Sequence, residues 1–231
     1  MLFILVPLIF VFYFGTLALA AFAFPESYDW RSSVISNLLS PRRNPQFHWL
    51  ASIGLSSAAL LAMPFGGYIG SRLRPASPLG AKAGMACFVG GTAALVLAAI
   101  IVPWHSHRIV GPLGAHEILA RLSALALGLG VLFFCWCALR PAYRSRFNQP
   151  FFNRTLVLSW TLLLTLIGVT ATSCLCLEVF RRTGILEALP FYRALRNSPL
   201  WRLAFWEWIG SAAGFLFLAS AAFLLPEREH D

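Results

Sequence analysis

Six stretches of about 20 apolar residues, separated by short polar loops, constrain this chain more than any other feature. A helix rises 1.5 Å per residue, so each stretch is about long enough to cross a hydrocarbon core of about 30 Å. The stretches are Leu2–Phe24, His48–Gly70, Ala83–Pro103, Ile118–Leu139, Thr155–Leu177 and Leu203–Leu225. The loops between them leave no room for a separate soluble module. The expected fold is an all-α integral membrane protein: one domain, 1–231, a six-transmembrane-helix bundle with short interfacial helices on one face. Composition agrees, since 12% of the residues are charged and 58% are hydrophobic, about half the charge of a soluble domain. Ala21-Phe22-Ala23 before Pro25 resembles a signal cleavage site. The run lacks a basic start and is too long for a signal peptide, so it is read as a retained helix.

The formal charge is +9, yet it does not indicate a nucleic-acid partner. The basic residues, all arginine except Lys82, fall mostly in short loops, as expected of anchors facing lipid headgroups. No basic stripe lies on a soluble element. Membrane lipids are the expected partners, with other membrane proteins as a second class.

Six crossings give the chain two faces. The first carries the N-terminus, loops Ser71–Lys82 and Arg140–Arg154, and the tail. The second carries loops Pro25–Phe47, Trp104–Glu117 and Glu178–Arg202. Basic residues divide almost evenly, but the first-face loops are shorter and more densely basic, which places both termini in the cytoplasm. Acids and histidines divide unevenly. Glu26, Asp29, Glu117, Glu178, Glu187 and Glu207 belong to the second face, with His48, His105, His107 and His116. Any chemistry is therefore expected there. No mid-membrane charge or pair of broken apolar segments suggests an inverted-repeat transporter.

Cys87, Cys135, Cys137, Cys174 and Cys176 all lie in apolar runs, as small hydrophobes do. The two C-x-C pairs close the fourth and fifth helices, which run in opposite directions. They therefore sit at opposite faces and cannot share a zinc ion.

In the first loop, Trp30, Val34 and Leu38 recur every four residues, predicting a short interfacial helix with Asp29 near its N-terminus. Asp29, Ser33 and Ser36 then form either an anchor with its cap or the rim of a pocket. In the second of these loops, His105 and His107 form H-x-H, followed by His116-Glu117. These supply donors that zinc or another borderline divalent metal accepts, so His105, His107 and His116 are the candidate metal set. Histidines serving only as interfacial side chains are the competing reading. Paired haem ligation by His48 and His116 is disfavoured, because there is no C-x-x-C-H motif. Glu117 and Arg121 have the spacing of a helical ion pair; alternatively, Arg121 holds an anionic headgroup. Glu207, between Trp206 and Trp208, is a carboxylate just below the interface, with Glu178 at similar depth. The two would divide acid and base roles or pair with Arg181, Arg182 or Arg202. Ile185–Leu195, interrupted by Pro190, reads as an interfacial helix.

Asp29-Trp30, Ile35-Ser36-Asn37-Leu38 and Pro45 before the second helix form a pattern, with Pro103 ending the third and His116 opening the fourth. The pattern resembles the bacterial six-helix domain-of-unknown-function family nine-nine-eight. That family is similar in layout to the Frag/DRAM/Sfk-like membrane proteins. The resemblance implies a six-helix fold and work on or among lipids. The expected site is then a polar pocket at the extracytoplasmic face of a bacterial inner-membrane protein. Asp29, Ser36, Asn37 and Arg121 would bind, and His116, Glu117 and Glu207 are the catalytic candidates, His116 as general acid/base. A non-enzymatic scaffold or regulator is the alternative, and a metal-dependent membrane hydrolase a further one.

Overall fold

The six apolar runs are six long helices in a computed structural model that describes residues 2–104, 114–143, 154–183 and 196–225. The first comprises Leu2–Phe10, a π-helical turn Val11–Gly15 and Thr16–Phe22. The others are His48–Leu73, Pro78–Trp104, Ala115–Tyr143, Arg154–Thr183 and Leu203–Leu224. Each contains a segment long and apolar enough to cross a membrane. Among the described residues, a helical turn Ser36–Leu39 and a 3-10 turn Pro199–Trp201 accompany them. The segment Ile185–Leu195, read above as an interfacial helix, lies outside the described residues, as do His105 and His107.

Each long helix packs on its neighbours in chain order, and the sixth returns to the first, closing a ring. The second helix also reaches inward to the fourth and sixth. Half of its apolar window is buried, against 22% for the first and fifth, so it is the bundle's central post. The interior has two parts. Towards the first face, Phe65, Phe134, Trp160 and Phe217 interlock, with Phe134 stacked on Phe217 at 6.5 Å and Trp160 tilted against it at 5.1 Å. Trp160 donates its indole N–H to Ser220 Oγ at 3.0 Å, so the ring is buried with its polar handle satisfied. Towards the second face, Leu17, Ala20, Ala51, Leu55 and Ala99 surround Ile35, Leu38 and Leu39 of the first loop. The loop is therefore part of the core.

Asn44 fastens that loop. It is fully buried, and its amide donates to Ala20 O and Leu38 O, both at 3.2 Å. One side chain thus joins the end of the first helix to the short Ser36–Leu39 turn. The helix expected around Trp30, Val34 and Leu38 is mostly absent. Only Ser36–Leu39 is helical, Leu38 is buried, and Trp30 is about half exposed. Side chains have taken the backbone groups a longer helix would use. Tyr28 donates to Ser33 O at 2.6 Å, and Glu207 accepts from the Ile35 amide at 2.8 Å. Asp29 closes its own turn, accepting from Arg31 N at 3.0 Å and Ser32 Oγ at 2.7 Å.

The π-helical turn inserts an extra residue per turn where the first helix meets two partners. It rotates Tyr13 and Thr16 further apart than an α-turn would. Tyr13 meets Ser211 of the sixth helix, while Thr16 presses on Gly54 of the second. A Cβ on Gly54 would come within 2.5 Å of Thr16 Cβ and 2.6 Å of the Phe12 carbonyl oxygen. Small residues let helices without a hydrophobic drive between them approach this closely. Gly67, on the same helix, has open space at the Cβ position. Alanine is the better helix former by about 1 kcal/mol, so the two sites should respond in opposite directions. Gly54→Ala is expected to lower the thermal midpoint in detergent by an overpacking penalty of about 1–3 kcal/mol. Gly67→Ala is expected to leave it unchanged or raise it. A Gly54→Ala protein as stable as wild type would show that the helices do not meet there.

Candidate functional site at the second face

At the second face the first loop meets the start of the sixth helix. Glu207 lies in the second turn of the sixth helix, between two indoles. Its Oε2 accepts the Ile35 amide, so the carboxylate connects residues 172 apart in sequence. A hydrogen bond of this kind contributes about 0.5–1.5 kcal/mol net. One turn further along, Ser211 Oγ donates to the Glu207 backbone carbonyl at 2.8 Å. The Ser211 hydrogen is then committed, so the 2.6 Å contact between Tyr13 Oη and Ser211 Oγ has Tyr13 as donor.

Tyr28 approaches from the loop. Its hydroxyl hydrogen goes to Ser33 O, and its ring packs edge-on against Phe24 at 5.6 Å. Burial pushes the Tyr28 phenol well above its usual value, and the nearby Glu207 carboxylate pushes it further. The phenol is therefore neutral throughout the physiological range. Trp208 stands beside it, stacked on Phe14 at 6.5 Å. Its buried indole N–H interacts with the Tyr28 hydroxyl oxygen, which works against the upward push on the phenol. At the mouth, hydrogen bonds from the Ser32 hydroxyl and the Arg31 amide hold the Asp29 carboxyl below the usual carboxylate range. The exposed guanidinium groups of Arg31 and Arg202 also lie within electrostatic reach of it.

The sequence candidates fall into two groups. Glu207 is joined to the first loop through the Ile35 amide, which Ser36 adjoins, while Ser36 and Asn37 belong to the short turn that packs on the second and third helices and Asp29 lies further out on the loop. His116, Glu117 and Arg121 begin the fourth helix, which packs chiefly on the third. His116 Nδ1 lies 3.0 Å from the Ala98 carbonyl of the third helix. That makes Nδ1 the protonated nitrogen and leaves Nε2 as an acceptor. Glu117 and Arg121 are exposed on the flank of the same helix. His48 Nδ1 is likewise held by the Asn44 and Pro45 carbonyls. Among the described residues, no three His, Cys, Asp or Glu side chains gather as a metal-holding group. The side chain of Glu178 lies outside the described set.

Tyr13, Tyr28, Ser211 and the Trp208 N–H are the participants that sequence reasoning missed. In sequence, the two tyrosines are indistinguishable from ordinary interfacial aromatics. Ser211, four residues after Glu207, carried the only local signal, a hydroxyl on the carboxylate's own helical face. No family model, curated protein or solved structure matches this chain.

Proposed function

We propose that this chain is an integral membrane protein of a bacterial inner membrane that holds the headgroup of a membrane lipid at its extracytoplasmic face. The observation that carries this reading is Glu207. An ionisable group at the end of an apolar helix, where desolvation is expensive, is a functional candidate by default. Here the carboxylate is gripped by a loop amide on one oxygen, with the Tyr13 and Tyr28 phenols within its electrostatic reach. Six helices of membrane-crossing length and apolarity would place this carboxylate at headgroup depth. Arg31 and Arg202 at the mouth, and Arg121 on the outer flank, supply cations for lipid phosphates. The resemblance drawn from the sequence implies, by analogy of layout, work on or among lipids. His116, held through Nδ1 by the Ala98 carbonyl on the neighbouring pair of helices, is the candidate for acid/base work on this face.

Native mass spectrometry of protein extracted in mild detergent tests the proposal. Wild type is expected to retain about one lipid per chain. Glu207→Ala, with its thermal midpoint still close to wild type, is expected to retain at least about tenfold less, a loss of about 1.4 kcal/mol. A bare wild-type mass would reduce the cluster to structural pairing and favour a scaffold that packs on other membrane proteins. Orientation has its own check. With both termini cytoplasmic, a membrane-impermeant maleimide should label Glu26→Cys in intact cells and Ser71→Cys only after permeabilisation. The reverse pattern would put the site on the cytoplasmic side.

A further inference from the structure

At the first face the bundle half encloses an arginine and gives it no acceptor. The second helix ends there with Ile69 and Leu73 buried in the apolar core, and Arg72 lies half-buried beside Leu73. Its guanidinium carbon stands 5.2 Å from the centre of the Tyr68 ring, one turn back on the same helix. The ring attracts the charge, yet it does not take up the N–H groups that a guanidinium carries in its own plane. Arg72 Nη1 is buried and has no hydrogen-bond partner. A buried donor left in this state calls for a water or an ion. The helix dipole favours a cation at this end, but nearby carbonyls are already in use. Leu73 O accepts the Ala76 and Ser77 amides, and Tyr68 O accepts the Ser71 hydroxyl.

No carboxylate of the described chain is at hand either. The first-face loops Ser71–Lys82 and Arg140–Arg154 contain no acid. Among the described residues the acids are Glu26, Asp29, Glu117, Glu178 and Glu207, and all belong to the second face. Arg74 and Lys82, in the same short loop as Arg72, are exposed, so that loop carries three positive charges and no negative one. What it lacks is an oxyanion, and a phosphate presents two oxygens that match the guanidinium fork. Depth selects the source of that phosphate. Arg72 is the penultimate residue of a helix of membrane-crossing length, which sets its stem beside the core and its head at the level of lipid phosphates. We infer that Arg72, braced on Tyr68, is a phosphate site for an anionic phospholipid of the leaflet at the first face. A zwitterionic headgroup suits it less, because its ammonium meets the field of Arg74 and Lys82. The site lies at the opposite end of the bundle from Glu207 and does not depend on the lipid-holding reading of that face.

The test adds lipid back to the purified full chain and reads binding by native mass spectrometry, in wild type and in Glu207→Ala. Lipid at an open rim exchanges with detergent during extraction, so this site fills only when lipid is supplied. The probes are phosphatidylglycerol and phosphatidylethanolamine with identical acyl chains, plus inorganic phosphate as soluble competitor. Phosphatidylglycerol is expected to bind about tenfold more tightly than phosphatidylethanolamine, equally in both backgrounds. Arg72→Gln, with its thermal midpoint close to wild type, should abolish that preference. Arg74→Gln removes the same charge from the exposed part of the loop and should cost at most about threefold. If Arg72→Gln does not fold, Arg72→Lys keeps the charge without the fork and should lose the preference severalfold. Equal losses in the Arg72 and Arg74 variants, or no headgroup preference in wild type, overturn the site and leave only general attraction by a basic loop. A preference that vanishes in Glu207→Ala belongs to the second face and overturns it too. Displacement of phosphatidylglycerol by equimolar inorganic phosphate assigns the site to a free anion and overturns the lipid. Binding that appears only once Glu227→Gln, Glu229→Gln and Asp231→Asn are combined makes the tail the partner of Arg72, and overturns the proposal.

Discussion

The loop between the first and second helices brings backbone amides and carbonyls into an apolar interior, and the structure depends on how those groups are satisfied. In hydrocarbon, an unpaired backbone group costs several kcal/mol, so irregular chain is tolerated only when protein supplies the partners. Here the partners are side chains. Asn44 takes the carbonyls of Ala20 and Leu38, Tyr28 takes that of Ser33, and Glu207 takes the amide of Ile35. Satisfied in this way, Ile35, Leu38 and Leu39 can sit among Leu17, Ala51 and Leu55. The same bonds that let the loop enter the core fix the orientation of the carboxylate and phenol. Fold and site share one hydrogen-bond network at the second face.

The two ends of the bundle differ accordingly. Near the first face the packing is apolar and aromatic, closed around Phe65, Phe134, Trp160 and Phe217. Near the second face the packing tolerates a carboxylate, two phenols and an indole N–H. The polar groups of the described interior are thus gathered at one end of the bundle and the bulky aromatic packing at the other.

What could be read in the sequence follows from the range of the forces involved. The helices were legible because apolar length is a local property, and their extents agree with the runs to within a few residues. Glu207 stood out because a carboxylate between two tryptophans is locally anomalous, and the crowding of acids and histidines on one face follows from loop order alone. The π-helical turn did not announce itself, since Val11–Gly15 reads as ordinary apolar helix; its setting becomes visible only once Gly54 and Ser211 are seen on either side. The short interfacial helix was over-read for the same reason. The spacing of Trp30, Val34 and Leu38 is local, whereas the bond that displaces the helix comes from Glu207, 172 residues away. Tyr13 and Ser211 are 198 residues apart, and no spacing rule reaches that far.

That separation has a consequence for how the site comes to exist. Its parts belong to the first helix, the first loop and the sixth helix, which are neighbours only because the ring of helices closes. Until the sixth helix docks, Tyr13 lacks its acceptor and the Ile35 amide lacks Glu207, so the loop cannot settle fully into the core. Closing a loop this long adds only a slowly growing entropic term. Contacts at the seam, among them Tyr13 with Ser211, Phe10 with Phe215 at 5.1 Å and Phe3 with Phe223 at 5.1 Å, oppose that term along the length of the interface. The aromatic contacts run from one end of the seam to near the polar cluster, so docking the last helix aligns Glu207 with its amide. The polar cluster is therefore completed by the same step that completes the fold.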